Sequence, residues 1–350
     1  MVKWKQQNQN VRRNGMMKWC IIGAGGIADR RMIPALLKSD ENQLVAVMDR
    51  VATVAETIGN KYGVAWFSDE EEMLKNTDCD AVYIGTPVTC HASQALLALS
   101  YGKHVFVEKP IAFTAKEGRE LVEAFKKANK QLTIGYMMKY HNLHEKAREI
   151  IQADGIGQVN DVRVQFSCWY PDIKGAWRQN KSLGGGGAIM DLGVHCIELV
   201  EYLLGEEIVE VKSMYSTRTF SYEVEDGGIV LFKTASGVLG HIDVNFNIPD
   251  KASESKLELY GSKGYILCKG TLGQEESGTL SHLYAPQGEY SAMQNRTTDK
   301  PVDYEGAGAD LYLKQVQLFN AQVKSGTPDY FYAERAVQVQ EIVDMIYADK

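Results

Sequence analysis

The stretch Lys18–Ala28, KWCIIGAGGIA, decides the fold. A short β-type run, KWCII, feeds directly into Gly23-Ala24-Gly25-Gly26-Ile27-Ala28, which is G-x-G-x-x-A at a strand-to-helix turn. Gly23 makes the tight turn, and Gly25 lets the backbone approach a pyrophosphate. Ala28 lets the helix lie close on its strand, with the phosphates at the helix N-terminus. Gly23, Gly25, Gly26 and Ile27 are therefore the candidate cofactor contacts. Asp29–Lys38 reads as the helix, with Pro34 tolerable only in its first turns or as a kink.

Outward from this turn, Gln43–Met48 (QLVAVM) is a second strand. It ends in Asp49, about 21 residues past Ala28, where a carboxylate grips the adenosine ribose hydroxyls. Asp49 favours NAD, because it repels a 2′-phosphate. Arg50 next to it keeps NADP open, because a guanidinium pairs with that phosphate. The alternation continues. Val51–Tyr62 and Asp69–Asn76 read as helices around the short strand Ala65–Phe67. Ala81–Ile84 is a buried-type strand ending in Gly85-Thr86-Pro87, and His91–Tyr101 is helical. His104–Val107 is a strand ending in Glu108-Lys109-Pro110, Lys116–Asn129 an amphipathic helix, and Gln131–Gly135 closes the sheet. Strands alternating with helices, with polar tripeptides at the strand ends, describe a Rossmann-type, doubly wound parallel sheet that takes ligands at those ends.

With 350 residues the chain holds about two domains. Its 45% hydrophobic and 24% charged residues are ordinary for a globular protein, and a net charge of −7 gives no sign of nucleic-acid binding. Six cysteines without a C-x-x-C pair argue for free thiols in a reducing cytoplasm and against a zinc site. No apolar run reaches the roughly 20 residues of a membrane span. Residues 1–15 are polar and read as an extension outside the core fold. Residues 16–136 form the dinucleotide-binding domain, and 137–350 a domain for substrate binding and oligomerisation.

From Gln158 the pattern changes to long β-type runs, among them VNDVRVQFSCWY, IVEVKSMYSTRTF, IVLFKT, VLGHIDVNF, KLELYG and YILCKG. Hairpin signals sit at Ala235-Ser236-Gly237 and Gly261-Ser262-Lys263-Gly264. This is an α+β domain with a large, mostly antiparallel sheet, one face covered by helices and the other expected to form a subunit interface. Pro301–Gly308 reads as loop; Leu311–Lys324 and Glu334–Tyr347 read as helices packing back between the domains.

Between the two patterns lies Leu183–Cys196, LGGGGAIMDLGVHC. The glycines let the backbone come close to a ligand, and a helix beginning there presents unpaired N–H groups. In that helix Asp191 and His195 share a face one turn apart, a carboxylate placed to hold or assist an imidazole. His141 and His144 stand at i, i+3 with no third clustered ligand, so solvated or substrate-facing roles outweigh a metal site. Trp169, Tyr170 and Trp177 are candidates for stacking on a sugar ring, or for sheet core.

With G-x-G-x-x-A, Glu108-Lys109-Pro110 and the Gly185–His195 segment in order, the chain from about residue 17 onward resembles the Gfo/Idh/MocA oxidoreductases. The resemblance implies that Lys109 reaches the reacting hydroxyl and the nicotinamide region, that Asp191 binds substrate hydroxyls, and that His195 takes or returns the proton. Glu108 falls beside the cofactor. Thr86-Pro87 matches a T-P-N turn at the cofactor, with Val88 in place of the Asn. His91 either contacts the cofactor or caps and packs its helix. Tyr136 and the pair Trp177-Arg178 fall at the substrate. The implied reaction is NAD(P)-dependent oxidation of a secondary ring hydroxyl of a sugar, glycoside or cyclic polyol, or its reverse. Imidazole titrates near neutrality and suits the base; an ammonium at Lys109 stabilises a developing alkoxide. A buried Lys109 that has lost its proton is the alternative base. Two other readings are an enzyme that recycles tightly held NAD and a nicotinamide-binding sensor without turnover. Retention of Lys109, Asp191 and His195 together argues against the sensor.

Overall fold

The computed structural model describes residues 15–290, 292, 299–308 and 310–348; the extension expected over residues 1–15 lies outside them except for Gly15. Six strands, β1 (Met17–Ile22), β2 (Asn42–Met48), β3 (Ala65–Phe67), β4 (Ala81–Ile84), β5 (His104–Val107) and β6 (Leu132–Ile134), form one parallel sheet. Their order is β3-β2-β1-β4-β5-β6, so the direction of winding reverses between β1 and β4. A crevice at such a reversal is where this architecture takes ligands. Helices α1 (Ile33–Leu37), α2 (Ala52–Tyr62), α3 (Glu70–Asn76), α4 (Val88–Ser100) and α5 (Ala115–Ala128) link the strands.

The strands form as continuous apolar runs because both faces are covered, as in β4, where all four residues are buried. The helix ends are set by side chains. Asp69 accepts the Glu72 N–H at 2.8 Å and starts α3, while Thr114 and Glu117 form a reciprocal capping box at the start of α5. The helix expected over Asp29–Lys38 is two pieces, a π-helical turn at Ala28–Met32 followed by α1, with Pro34 in the first turn of α1. The turn runs straight into α1, so Pro34 falls where the helix changes pitch, the kind of break a missing N–H and a proline ring produce.

The second half contains α6 (Asn142–Gln152), β7 (Val159–Ser167), α7 (Lys181–Gly184), α8 (Val194–Leu204), β8 (Ile208–Ser216), β9 (Gly227–Thr234), β10 (Leu239–Asn245), β11 (Lys256–Gly261), β12 (Gly264–Lys269), β13 (Thr279–Tyr284), β14 (Val302–Glu305), α9 (Leu311–Ser325) and α10 (Phe331–Ala348). Eight strands lie in the order β14-β13-β12-β11-β7-β10-β9-β8. Every pairing is antiparallel except β7 with β10. Burial alternates along β9, with Val230, Phe232 and Thr234 facing the helices and Ile229, Leu231 and Lys233 facing out. Two expectations are corrected. The segment read as loop, Pro301–Gly308, contains β14, an edge strand too polar (VDYE) to announce itself, and residues 142–152 form a helix that the sequence reading passed over.

α9 and α10 return to the first domain. Phe319 of α9 packs against Trp19 of β1 at 4.8 Å and Phe106 of β5 at 6.0 Å between ring centroids. Asn320 donates to Asn42 Oδ1 at 2.7 Å, and that oxygen also accepts the Trp19 indole N–H. Among the described residues no helix is long and apolar enough to cross a membrane.

Candidate active site

The glycine turn and Asp49 meet at the end of β1. Gly23 has φ +80°, and a Cβ there would lie 2.8 Å from Thr86 Cγ2 and 2.9 Å from the Gly85 backbone, so only glycine lets the loops after β1 and β4 close on each other. The Asp49 carboxylate accepts the Gly25 N–H at 3.3 Å and the Val51 N–H at 3.0 Å. A carboxylate aimed into a side-chain-free turn at the winding reversal fits a dinucleotide: the ribose hydroxyls at Asp49, the pyrophosphate over Gly25 and Gly26 beside Ile27. Arg50 is exposed one residue further on.

Three neighbouring candidates are committed to the protein itself. Thr86 Oγ1 donates to Gln94 at 2.6 Å. His91 is buried, with Nδ1 at 2.8 Å from the Pro110 carbonyl and Nε2 at 3.0 Å from the Thr86 carbonyl. Burial pulls it down to about 4. The neutral ring donates to one of these two carbonyls and packs against the other, so His91 is held between the loops after β4 and β5 rather than reaching outward. The Glu108 carboxylate accepts the Tyr83 hydroxyl at 2.8 Å, and burial pushes its pKa up. Val88 is buried at the start of α4 and brings no polar group to the crevice.

The residues expected to handle the proton converge. Lys109, at the end of β5 and before a cis bond to Pro110, donates to both Asp191 Oδ1 and the Asp191 carbonyl, each at 2.7 Å. Arg178 Nε reaches the same Oδ1 at 3.3 Å, its guanidinium lying 4.3 Å over the Trp177 ring. Burial alone would push the Asp191 carboxyl up. The charges of Lys109 and Arg178 and the Lys109 hydrogen bond outweigh it and hold the group well below the usual carboxylate range. For His195, burial and then the Lys109 charge pull the imidazole well below its ordinary value, against the opposing pull of Asp191. His195 Nδ1 has no hydrogen-bond partner among the described residues.

The expected carboxylate–imidazole hydrogen bond is therefore replaced by a carboxylate–ammonium–guanidinium cluster beside a neutral imidazole. The reason is local geometry. Asp191 lies in a π-helical turn, Ile189–Gly193, that runs directly into α8 and turns Oδ1 to Lys109 and Arg178. Tyr136 does not line an open site. It is buried edge-on to His195, ring centroids 5.8 Å apart.

The glycine run before this turn serves packing. A Cβ on Gly186 would lie 2.0 Å from the Tyr347 hydroxyl, and one on Gly187 would lie 1.9 Å from the Glu225 carbonyl. The helix start is not vacant either. Glu225 Oε1 accepts the N–H groups of Gly187 at 2.9 Å and Ile189 at 3.0 Å, and the Tyr347 hydroxyl donates to it at 2.7 Å. The N–H groups expected to greet a ligand are thus capped by a buried glutamate from the strand side.

The two histidines of 141–144 also change role. Both are buried: His141 Nε2 lies 3.0 Å from the Ser277 carbonyl, and His144 bridges the Met138 carbonyl and Thr271 Oγ1. They tie α6 to the sheet and are neither solvated nor substrate-facing. No cluster of three or more metal-ligating side chains exists among the described residues. Side chains alternate along the extension of β7, so Cys168 and Tyr170 come within electrostatic reach of Asp191, and Trp169 turns the other way onto Phe220 at 5.0 Å. Cys168 is a site neighbour that no motif announced. Burial, with Asp191 next, pushes its thiol up to about 12, so it is no nucleophile.

Residues 17–136 match the family described as oxidoreductase family, NAD-binding Rossmann fold, and residues 144–267 match the GFO/IDH/MocA C-terminal domain. A 1,5-anhydro-D-fructose reductase of Ensifer adhaerens is 28% identical over 311 residues, 88% of this chain and 89% of that protein. A dTDP-3,4-didehydro-2,6-dideoxy-alpha-D-glucose 3-reductase of Streptomyces violaceoruber is 30% identical over 268 residues, 76% of this chain and 73% of the relative. Among solved structures, the aldose-aldose oxidoreductase of Caulobacter crescentus superposes with a TM-score of 0.83 at 23% identity, covering 95% of this chain and 97% of that one, which establishes a shared fold.

Proposed function

We propose, from the premise that this chain belongs to the Gfo/Idh/MocA oxidoreductase family and carries its NAD-binding Rossmann domain, that it oxidises a secondary ring hydroxyl of a sugar, glycoside or cyclic polyol to a ketone, or reduces such a ketone. The observation that carries the reading is the convergence of Lys109, Asp191 and His195 at the strand ends of the Rossmann sheet, with Lys109 Nζ 2.7 Å from Asp191 Oδ1. The sugar relatives support the substrate class. A screen of sugars, inositols and glycosides for NADH formation tests it, and no signal from any ring polyol, in either direction, would sink it.

NAD, when bound, takes up or gives back the hydride at its nicotinamide C4. The chain's own residues handle the proton and the charge. An ammonium has three donors, and Lys109 spends two on Asp191, leaving one for the reacting oxygen. That contact strengthens as the hydroxyl loses its proton and alkoxide charge grows. Asp191 Oδ1 is taken by Lys109 and Arg178, which leaves Oδ2 as the acceptor for a substrate hydroxyl in this reading. His195, neutral through its lowered pKa, accepts the proton.

Asp49 supports a preference for NAD over NADP. The expected result is a higher kcat/KM with NAD, with the preference narrowed in Asp49→Ala; a higher kcat/KM with NADP would reverse the assignment. The outer sheet face exposes Met214, Ile229, Leu231 and Leu239, which supports a homo-oligomer joined through this sheet. Sedimentation at micromolar concentration is expected to give a multimer, and a monomer mass counts against it. All six cysteines are free thiols, which supports a reducing, cytoplasmic location.

A further inference from the structure

His195, Glu198 and Glu201 follow at three-residue steps along one side of α8. All three are buried. Each leaves one buried polar atom without a hydrogen-bond partner among the described residues: His195 Nδ1, Glu198 Oε2 and Glu201 Oε2. The Tyr136 hydroxyl, on the ring that stands edge-on to His195, is a fourth. It lies within electrostatic reach of both glutamates. Unpartnered buried polar atoms are rare in folded proteins, and four in adjoining positions need a reason.

At the far end a partly open cavity of about 80 Å³ reaches Glu198 and Glu201, walled by Arg148, Tyr202, Tyr332 and Arg335. That is room for more than one water. Between the cavity and His195 sits Lys139, its ammonium 2.5 Å from Glu198 Oε1 and ringed by Tyr136, Tyr140 and Tyr332 at 5.7, 5.3 and 4.6 Å. The Lys139 charge disfavours imidazolium at His195 and favours carboxylate at Glu198. Glu201 Oε1 accepts the Ile208 N–H at 2.9 Å. Burial pushes its carboxyl up to about 7, where it gains and loses a proton with equal ease near neutrality.

We propose that this row is a proton exit, through which the proton taken by His195 leaves behind the active site, by way of Tyr136 and Glu198, to Glu201 and the cavity. It rests on His195 being the base, as read above. The imidazolium gives up its proton through Nδ1 towards Tyr136, and cavity water serves the Glu198–Glu201 end of the row. The Glu201 carboxylate takes up the proton and releases it to water. No electrons move; the His195 ring is left in its other tautomer and is reset by proton exchange with water once product has left, and the reverse reaction draws its proton in by the same row. The site can then discharge its proton while substrate and cofactor still cover the front.

The test uses the sugar giving the strongest NADH signal in the screen. Glu201→Gln keeps the acceptor for the Ile208 N–H and removes the titratable proton. Its kcat is expected to fall about tenfold, the solvent deuterium isotope effect on kcat to rise, and added imidazole buffer to restore turnover; Glu201→Asp, which keeps a carboxyl, is expected to retain most of it. In the unmodified enzyme, a pH-indicator dye in weak buffer is expected to register the proton in step with NADH during the first turnover. A proton that appears only with product release overturns the exit, and so does Glu201→Gln with wild-type kcat and an unchanged isotope effect. His195→Ala separates the two readings. If its acid limb persists, the base assignment falls; if the limb vanishes while Glu201→Gln is silent, only the exit falls.

Discussion

Replacing His195 by Ala lowers kcat by about 10²–10⁴-fold, the usual worth of a positioned acid or base, and leaves cofactor affinity nearly unchanged. The affinity is spared because the Gly23–Ile27 turn and Asp49 sit at the ends of β1 and β2, whereas His195 is carried by α8. The pH profile carries the assignment. The His195 pKa lies below the ordinary histidine value of about 6.5, so the imidazole is neutral and able to accept a proton through the neutral range. As pH falls through its lowered value it becomes imidazolium, and kcat/KM falls with it. Asp191 is held ionised by Lys109 and Arg178 well below the usual carboxylate range. In His195→Ala the acid limb is therefore expected to disappear. Near-wild-type turnover with the limb intact would remove His195 from the role and make Lys109 the candidate.

Lys109→Ala is expected to be as severe for a different reason. The ammonium is held by two hydrogen bonds to Asp191, and in the proposed mechanism its remaining donor serves the reacting oxygen, so its loss is expected to cost about 3–4 kcal/mol of transition-state stabilisation. It also leaves the Asp191 carboxylate with Arg178 as its remaining cation, and the Asp191 pKa relaxes upward towards the ordinary range. The loss therefore deepens on the acid side, where wild-type Asp191 is still ionised and the variant's begins to protonate. Comparing kcat/KM of wild type and variant across acid pH measures both parts. A uniform, pH-independent loss would show that Lys109 does not hold Asp191 ionised, and an unchanged kcat would end its role at the oxygen.

The Rossmann half was legible because its information is local. β4 and β5 fall where the apolar runs AVYI and HVFV place them, and the G-x-G-x-x-A turn needs only its own neighbours to be read. The C-terminal sheet was legible wherever alternation was strong, as in β9, and not in β14, whose four residues VDYE carry too little apolar surface. The glycine run was misread for a physical reason. What it accommodates, Tyr347 and Glu225, lies far along the chain, and no local pattern names a long-range neighbour. His141 and His144 were misplaced likewise, because their partners at Ser277 and Thr271 come from the connection between β12 and β13, far along the chain.

The seat of Phe319 on Trp19 and Phe106 bears on how the molecule comes into being. β1 is the first strand and α9 one of the last helices, so the indole that anchors β1 finds its cover only after the intervening sheet has been laid down. Until then a nascent dinucleotide domain would present two aromatic rings to water, each able to bury about 150–250 Å². Contacts closing so large a loop form late, after the entropy of bringing the ends together has been met. The sheet that carries the glycine turn thus completes its packing only when α9 arrives from the far end of the chain.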